Sequence, residues 1–147
     1  GEMDVPWQEL YKHVSIDELE NWLRDVCTNL RHTLRHERTD STMKLTEQAK
    51  AYINEHYMEN DLSADTLCRH LNVSAAYFST IFKKEVGQSF VAYLTKVRLE
   101  HAVELLRTTE DKTYVIAEEV GYTEPNYFSY VFKKEYGISP SKYRASL

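Results

Sequence analysis

Tyr77–Gly87 reads YFSTIFKKEVG, and Tyr127–Gly137 reads YFSYVFKKEYG: eight of eleven positions are identical at a separation of fifty residues. One small unit is therefore present twice, and a repeat at that period marks paired or stacked supersecondary structure. Working back from the first copy, Ser63 caps a short helix that turns Leu67, Cys68 and Leu71 inward. Asn72, a residue that tolerates left-handed backbone, makes a turn. Ser74 then caps a basic helix that ends at Gly87, a common helix terminator in that conformation. The second copy repeats the order. Thr113 caps a helix with Ile116, Ala117 and Val120 inward, Gly121 turns, and Thr123 caps the basic helix closed by Gly137. Ser139-Pro140 opens a last short helix with Tyr143 inward. Helix, tight turn and second basic helix is the order of a helix-turn-helix unit that binds DNA.

Between the copies Ser89 caps a long helix from Phe90 to about Thr109. Its apolar residues, among them Tyr93, Leu94, Val97, Leu99, Ala102, Val103 and Leu106, spread over more than one face. A helix apolar on two sides packs on two sides, so this one is expected to lie between the copies. Upstream, Thr46-Glu47 is read as the start of a helix carrying Ala49, Tyr52, Ile53 and Tyr57, followed by a break at Asp61–Ser63. Glu37–Thr42 is polar and is taken as a linker or frayed helix end. Before it, Ser15-Ile16-Asp17-Glu18 forms a capping box. The helix it opens sets Ile16, Leu19, Leu23, Val26 and Leu30 at alternating spacings of three and four, with Trp22 beside them. That seam of about two heptads fits a dimer-forming helix. It fits equally a helix lying on its own domain. Asp4–Val14 is expected to form a short helix with Pro6 near its first turn.

The expected architecture is all-α: a seven-helix domain with two helix-turn-helix motifs joined by a long linker helix, preceded by an N-terminal helical segment. Residues 1–43 form that segment and residues 44–147 the domain. The first motif covers about 63–87, the linker helix about 89–109 and the second motif about 113–137. Only four Gly and three Pro stand in 147 residues, which suits helices. No apolar run reaches the roughly 18 residues of a membrane span. Cys27 and Cys68, far apart, are expected to be reduced thiols of a cytoplasmic protein.

The net charge of −5 does not suit a ligand for nucleic acid, but its distribution matters more than its sum. Residues 1–40 hold nine acids and five bases, while residues 41–147 hold fourteen acids and thirteen bases. Ser74–Arg98 carries Lys83, Lys84, Lys96 and Arg98 against Glu85 alone.

The two basic helices share an inner stripe and differ outside. Phe78, Ile81, Phe82 and Val86 match Phe128, Val131, Phe132 and Tyr136. The outer stripes are Ala76, Ser79, Thr80 and Lys83 in one, and Asn126, Ser129, Tyr130 and Lys133 in the other. One scaffold with different outward side chains is what two readers of different base sequences require. The helix N-termini at Ser74 and Thr123 are candidate phosphate contacts through backbone N–H groups. Tyr77 and Tyr127 are read mainly as packing.

Ile116–Arg144, IAEEVGYTEPNYFSYVFKKEYGISPSKYR, together with the first copy and Arg98–Leu106 (RLEHAVELL), resembles the AraC/XylS family of bacterial transcription regulators over about Leu45–Tyr143. The resemblance implies a DNA-binding domain whose two motifs enter adjacent major-groove segments of promoter DNA. By position, Ala76, Ser79, Thr80, Asn126, Ser129 and Tyr130 would face bases. Ser74, Lys83, Lys84, Thr123, Lys133 and Lys134 would approach phosphates. Asn126 is the best placed to pair both hydrogen-bonding groups of an adenine edge. Ala76 and Thr80 depart from the long polar side chains often found at such positions, which leaves thymine-methyl contact or shape readout there.

SIDELENWL is similar to the linker of YesN-like response regulators of this family. The sequence is therefore expected to be the C-terminal part of a two-component regulator with a phosphorylatable receiver. The alternatives are a regulator with a ligand-binding sensor, or a protein-interaction adaptor on the same scaffold. RNA polymerase is admitted as a further partner, and no cofactor is expected. His32 and His36, four apart, lack a third metal ligand at suitable spacing, and Cys68 is read as a small packing residue. With no P-loop, nucleophile elbow or paired carboxylate site, the sequence points away from an enzyme.

Overall fold

A computed structural model describes residues 15–147, and among them all regular structure is helical. In chain order the helices are α1 (Ile16–His56), α2 (Ala64–Leu71), α3 (Ala75–Val86), α4 (Phe90–Thr108), α5 (Thr113–Glu119), α6 (Pro125–Tyr136) and α7 (Pro140–Ala145). The chain divides into two units, Gly1–Ser41 and Thr42–Leu147. The helix expected over Asp4–Val14 lies outside the described residues. None of the described helices is long and apolar enough to cross a membrane.

The second unit is built around α4. On one side of this helix Phe90, Leu94 and Val97 pack with Ala49 and Ile53 of α1, Leu67 and Cys68 of α2, and Phe78 and Phe82 of α3. On the other side Leu99, Ala102 and Leu106 pack with Ile116 and Ala117 of α5, Val120, Tyr122, and Phe128 and Phe132 of α6. The four phenylalanines of α3 and α6 are each 2% exposed or less, and each stabilises the fold by roughly 1.5–3 kcal/mol through burial. Cys68 sits in the first core, where burial, with Asp65 assisting, pushes its thiol pKa up. Two helix-turn-helix pairs thus share one central helix, as the sequence predicts.

Several caps fall where expected. Ser63 and Thr66 form a reciprocal capping box, and Ser74, Ser89 and Ser139 accept backbone N–H bonds at 3.3, 3.3 and 3.4 Å. Asn72 is left-handed at φ 54, and Gly87, Gly121 and Gly137 also have positive φ.

Four expectations are corrected. Glu37–Thr42 is helical within the single helix α1, and Thr46 does not begin a helix. Its hydroxyl is buried and donates to the Thr42 carbonyl at 2.9 Å. Thr28, Thr33 and Thr39 likewise donate to the carbonyls four residues back. Polar side chains satisfied on their own helix do not break it, and neither Gly nor Pro stands between Ser15 and His56. Thr113 is the first residue of α5, whose cap is Lys112. Thr123 is not the cap of α6: Pro125 takes the first helical position, where its missing N–H costs nothing, and places Glu124 at the cap.

The two halves of the domain are tied by Arg98. Its guanidinium donates Nε–H to the Tyr57 carbonyl at 2.8 Å and Nη2–H to the Glu59 carbonyl at 2.7 Å. It also lies 5.4 Å from the centroid of the Tyr122 ring. Arg98 is only 9% exposed, so its charge serves the loop after α1 and is not available at the surface with those of Lys83, Lys84 and Lys96. Burial raises the Tyr122 phenol pKa, with the Arg98 charge opposing that rise.

Candidate nucleic-acid interface

Helix α3 buries Phe78 and Phe82, and α6 buries Phe128 and Phe132. Residues two before, two after and five after the first phenylalanine of each pair therefore lie on the opposite side, given 100° per residue. Ala76, Thr80 and Lys83 of α3 are exposed there, as are Asn126, Tyr130 and Lys133 of α6. Lys84 and Lys134 are also exposed. Ser79 and Ser129 flank that side. Ser79 is exposed, whereas Ser129 is half-buried, so the two serines are not equivalent. The Thr80 hydroxyl already donates to the Ala76 carbonyl at 3.0 Å, which leaves its oxygen as an acceptor.

Tyr77 and Tyr127 differ from the sequence expectation. They are 42% and 59% exposed, not mainly packed. Both sit seven residues before the second lysine of their helix, Lys84 or Lys134, hence on the same flank of the outward side. Tyr127 and Tyr130 stack with ring centroids 6.5 Å apart. The signal for this exposure was in the sequence: the seven-residue spacing to a lysine that had no reason to be buried.

The helix starts also differ. Ser74 caps α3 through the Tyr77 N–H. No side chain caps α6, so the N–H groups of Asn126 and Tyr127 have no side-chain capping partner. Thr123 is exposed in the stretch leading into α6. In the N-terminal unit the rings of His32 and His36 lie 4.6 Å apart. Ile16, Leu23, Val26, Leu30 and Leu34 are all exposed on that part of α1.

A helix-turn-helix domain family matches residues 67–146, more than half of the chain. The raffinose operon transcriptional regulatory protein RafR of Pediococcus pentosaceus is 40% identical over 112 residues, covering 74% of this chain and 40% of RafR. The chain thus spans less than half the length of that relative. Among solved structures, the C-terminal domain of AraT, a response regulator from Geobacillus stearothermophilus, is 44% identical with a TM-score of 0.69. It covers 70% of this chain and 85% of that one. The DNA-binding domain of AdpA, a global transcriptional factor solved in complex with a target DNA, is 26% identical with a TM-score of 0.66, covering 69% and 90% of the two chains.

Proposed function

Since the chain belongs to the AraC-type helix-turn-helix family of DNA-binding transcription regulators, a family and fold of regulators and not of enzymes, we propose that it is the promoter-binding output part of a two-component response regulator. The observation that carries the DNA-binding reading is the pair of helices α3 and α6, alike inside and different outside, held on one helix. In this reading Ala76, Ser79 and Thr80 face bases from α3, and Asn126, Ser129 and Tyr130 do so from α6. Lys83, Lys84, Lys133 and Lys134 approach phosphates, with the Ser74 cap at the start of α3. Thr123 keeps a place only through its own exposed hydroxyl. The response-regulator assignment is supported by the similarity to AraT. RNA polymerase is a further proposed partner, and the exposed apolar seam of α1 supports a homodimer.

The DNA-binding experiment is a gel-shift titration at several salt concentrations, on duplexes that the protein selects from a random-sequence pool. Each phosphate neutralised by a lysine contributes about 0.9 to the slope of log affinity against log salt. Lys83→Ala with Lys133→Ala should therefore flatten the slope by about 1.8. An unchanged slope would move the interface elsewhere, and no salt-sensitive binding at all would favour the adaptor reading. In the same assay Asn126→Ala should relax base preference at one position and weaken binding by about 1–3 kcal/mol; an unaltered preferred sequence would remove its role. The two-component assignment is tested by reading the natural gene on the 5′ side of the segment that encodes this chain. A receiver with a phosphorylatable aspartate is expected, and a sensor domain there would overturn it.

A further inference from the structure

The first turns of α4 leave a cleft beside α6, and we propose that this cleft seats one backbone phosphate of the DNA that lies between the two sites read by α3 and α6. The inference rests on the DNA-binding reading above and adds a contact made by the central helix itself. Leu99 points from α4 into the core shared with α6. One and two turns earlier on that same side, Ala92 and Lys96 are exposed and Thr95 is half-buried. With Tyr127, Tyr130 and Lys134 of α6 they line a cleft of about 310 Å³, room for a phosphate group and its first waters.

The chemistry of the lining is that of a phosphodiester site. Two ammonium groups come from different elements, and two phenols can donate hydrogen bonds. Two carboxylates stand nearby. Glu135 also lines the cleft, and Glu100 lies 3.9 Å from the Lys96 ammonium with both side chains 59% exposed. An exposed pair at that distance is held by at most about 1 kcal/mol, so Lys96 is free to turn to a phosphate.

Position selects DNA as the source of that phosphate. Tyr130 and Lys134 belong both to the cleft and to the outward side of α6. At its other end the cleft reaches Gln88, in the turn that follows Gly87 at the end of α3. The cleft therefore runs along α6 and extends toward the end of α3. A duplex that receives both must carry its backbone across that interval.

The test uses the full 147-residue chain and a duplex selected by that chain from a random-sequence pool. Lys96→Gln should flatten the salt slope by about 0.9, equivalent to about 3.5-fold less loss of affinity between 50 and 200 mM salt. Base preference should stay as in the parent. Lys96→Arg should restore the slope, and Lys50→Gln, a lysine paired with Glu47 at 3.0 Å on α1, should not change it. A set of duplexes, each with one neutral methylphosphonate between the two sites, gives the second readout. One position should weaken the parent several-fold and leave Lys96→Gln unaffected. A Lys96→Gln slope equal to that of the parent, or no position specific to the parent, overturns the proposal. If the parent itself selects no duplex with a steep salt slope, the DNA-binding reading fails with it; if the parent does and Lys96→Gln matches it, the cleft alone fails.

Discussion

Gly87 and Gly121 both occupy left-handed backbone, at φ 81 and 92, yet alanine should separate them. A Cβ on Gly87 meets nothing within 4 Å, whereas one on Gly121 would lie 2.6 Å from the Tyr57 carbonyl oxygen and 2.9 Å from Arg98 Nη2. Gly87→Ala should therefore cost only the conformational penalty of about 1–2 kcal/mol. Gly121→Ala must in addition push apart a carbonyl and the guanidinium that binds it, and should cost at least about 3 kcal/mol. Urea unfolding of both variants measures this, and equal losses would mean that the loop after α1 yields. The turns themselves were legible, because Asn and Gly in those places have a local conformational reason. What crowds Gly121 was not legible: Tyr57 and Arg98 are distant in sequence, and only the fold brings them to it. The same blindness counted Arg98 with the lysines of Ser74–Arg98 as local positive charge, since its carbonyl partners lie 41 and 39 residues away. At Thr123 the misreading was local. A hydroxyl two residues before a proline looks like a cap, but Pro125 starts the helix itself and passes the cap to Glu124.

At the scale of the element, α4 was readable because apolar residues on two sides have to be covered twice, and its two faces do enter two separate cores. The α1 helix was read less well. Polarity over Glu37–Thr42 suggested a break, but a helix needs backbone bonds and compatible side chains, not an apolar face, and threonines can bond back to it. The seam on residues 16–30 is the opposite case. Its spacing was evident, and Ile16, Leu23, Val26 and Leu30 are exposed, so a second copy of the same seam is the proposed cover. In sedimentation the full chain should have twice its monomer mass at micromolar concentration. Deletion of residues 1–40, or Leu23→Glu with Leu30→Glu, should give the monomer, because two charged knobs per strand destroy an apolar seam of this length. A full chain and a truncated chain that both sediment as monomers would remove the dimer.

For the domain over Thr42–Leu147, one consequence follows from two cores on one helix. Neither motif can be displaced along α4 without emptying the core it shares with that helix, and cavities from lost aromatic side chains cost about 3–5 kcal/mol each. The distance between α3 and α6 is therefore a property of the fold and not of a flexible connection. With 19 residues, α4 spans about 28 Å at 1.5 Å per residue, close to the roughly 34 Å between successive major-groove windows on one side of B-DNA. Insertion of five base pairs between the two sites rotates one of them by about half a turn to the far side of the duplex. Affinity for that duplex should fall more than tenfold, to the level of a duplex that keeps only one site. Ten inserted base pairs restore the rotational phase but double the separation, and a 28 Å helix cannot stretch to cover it, so affinity should not recover. A gel-shift series over spacers of zero, five and ten base pairs decides this. Recovery at ten would mean that the two motifs move independently, and that α4 joins them without fixing their spacing.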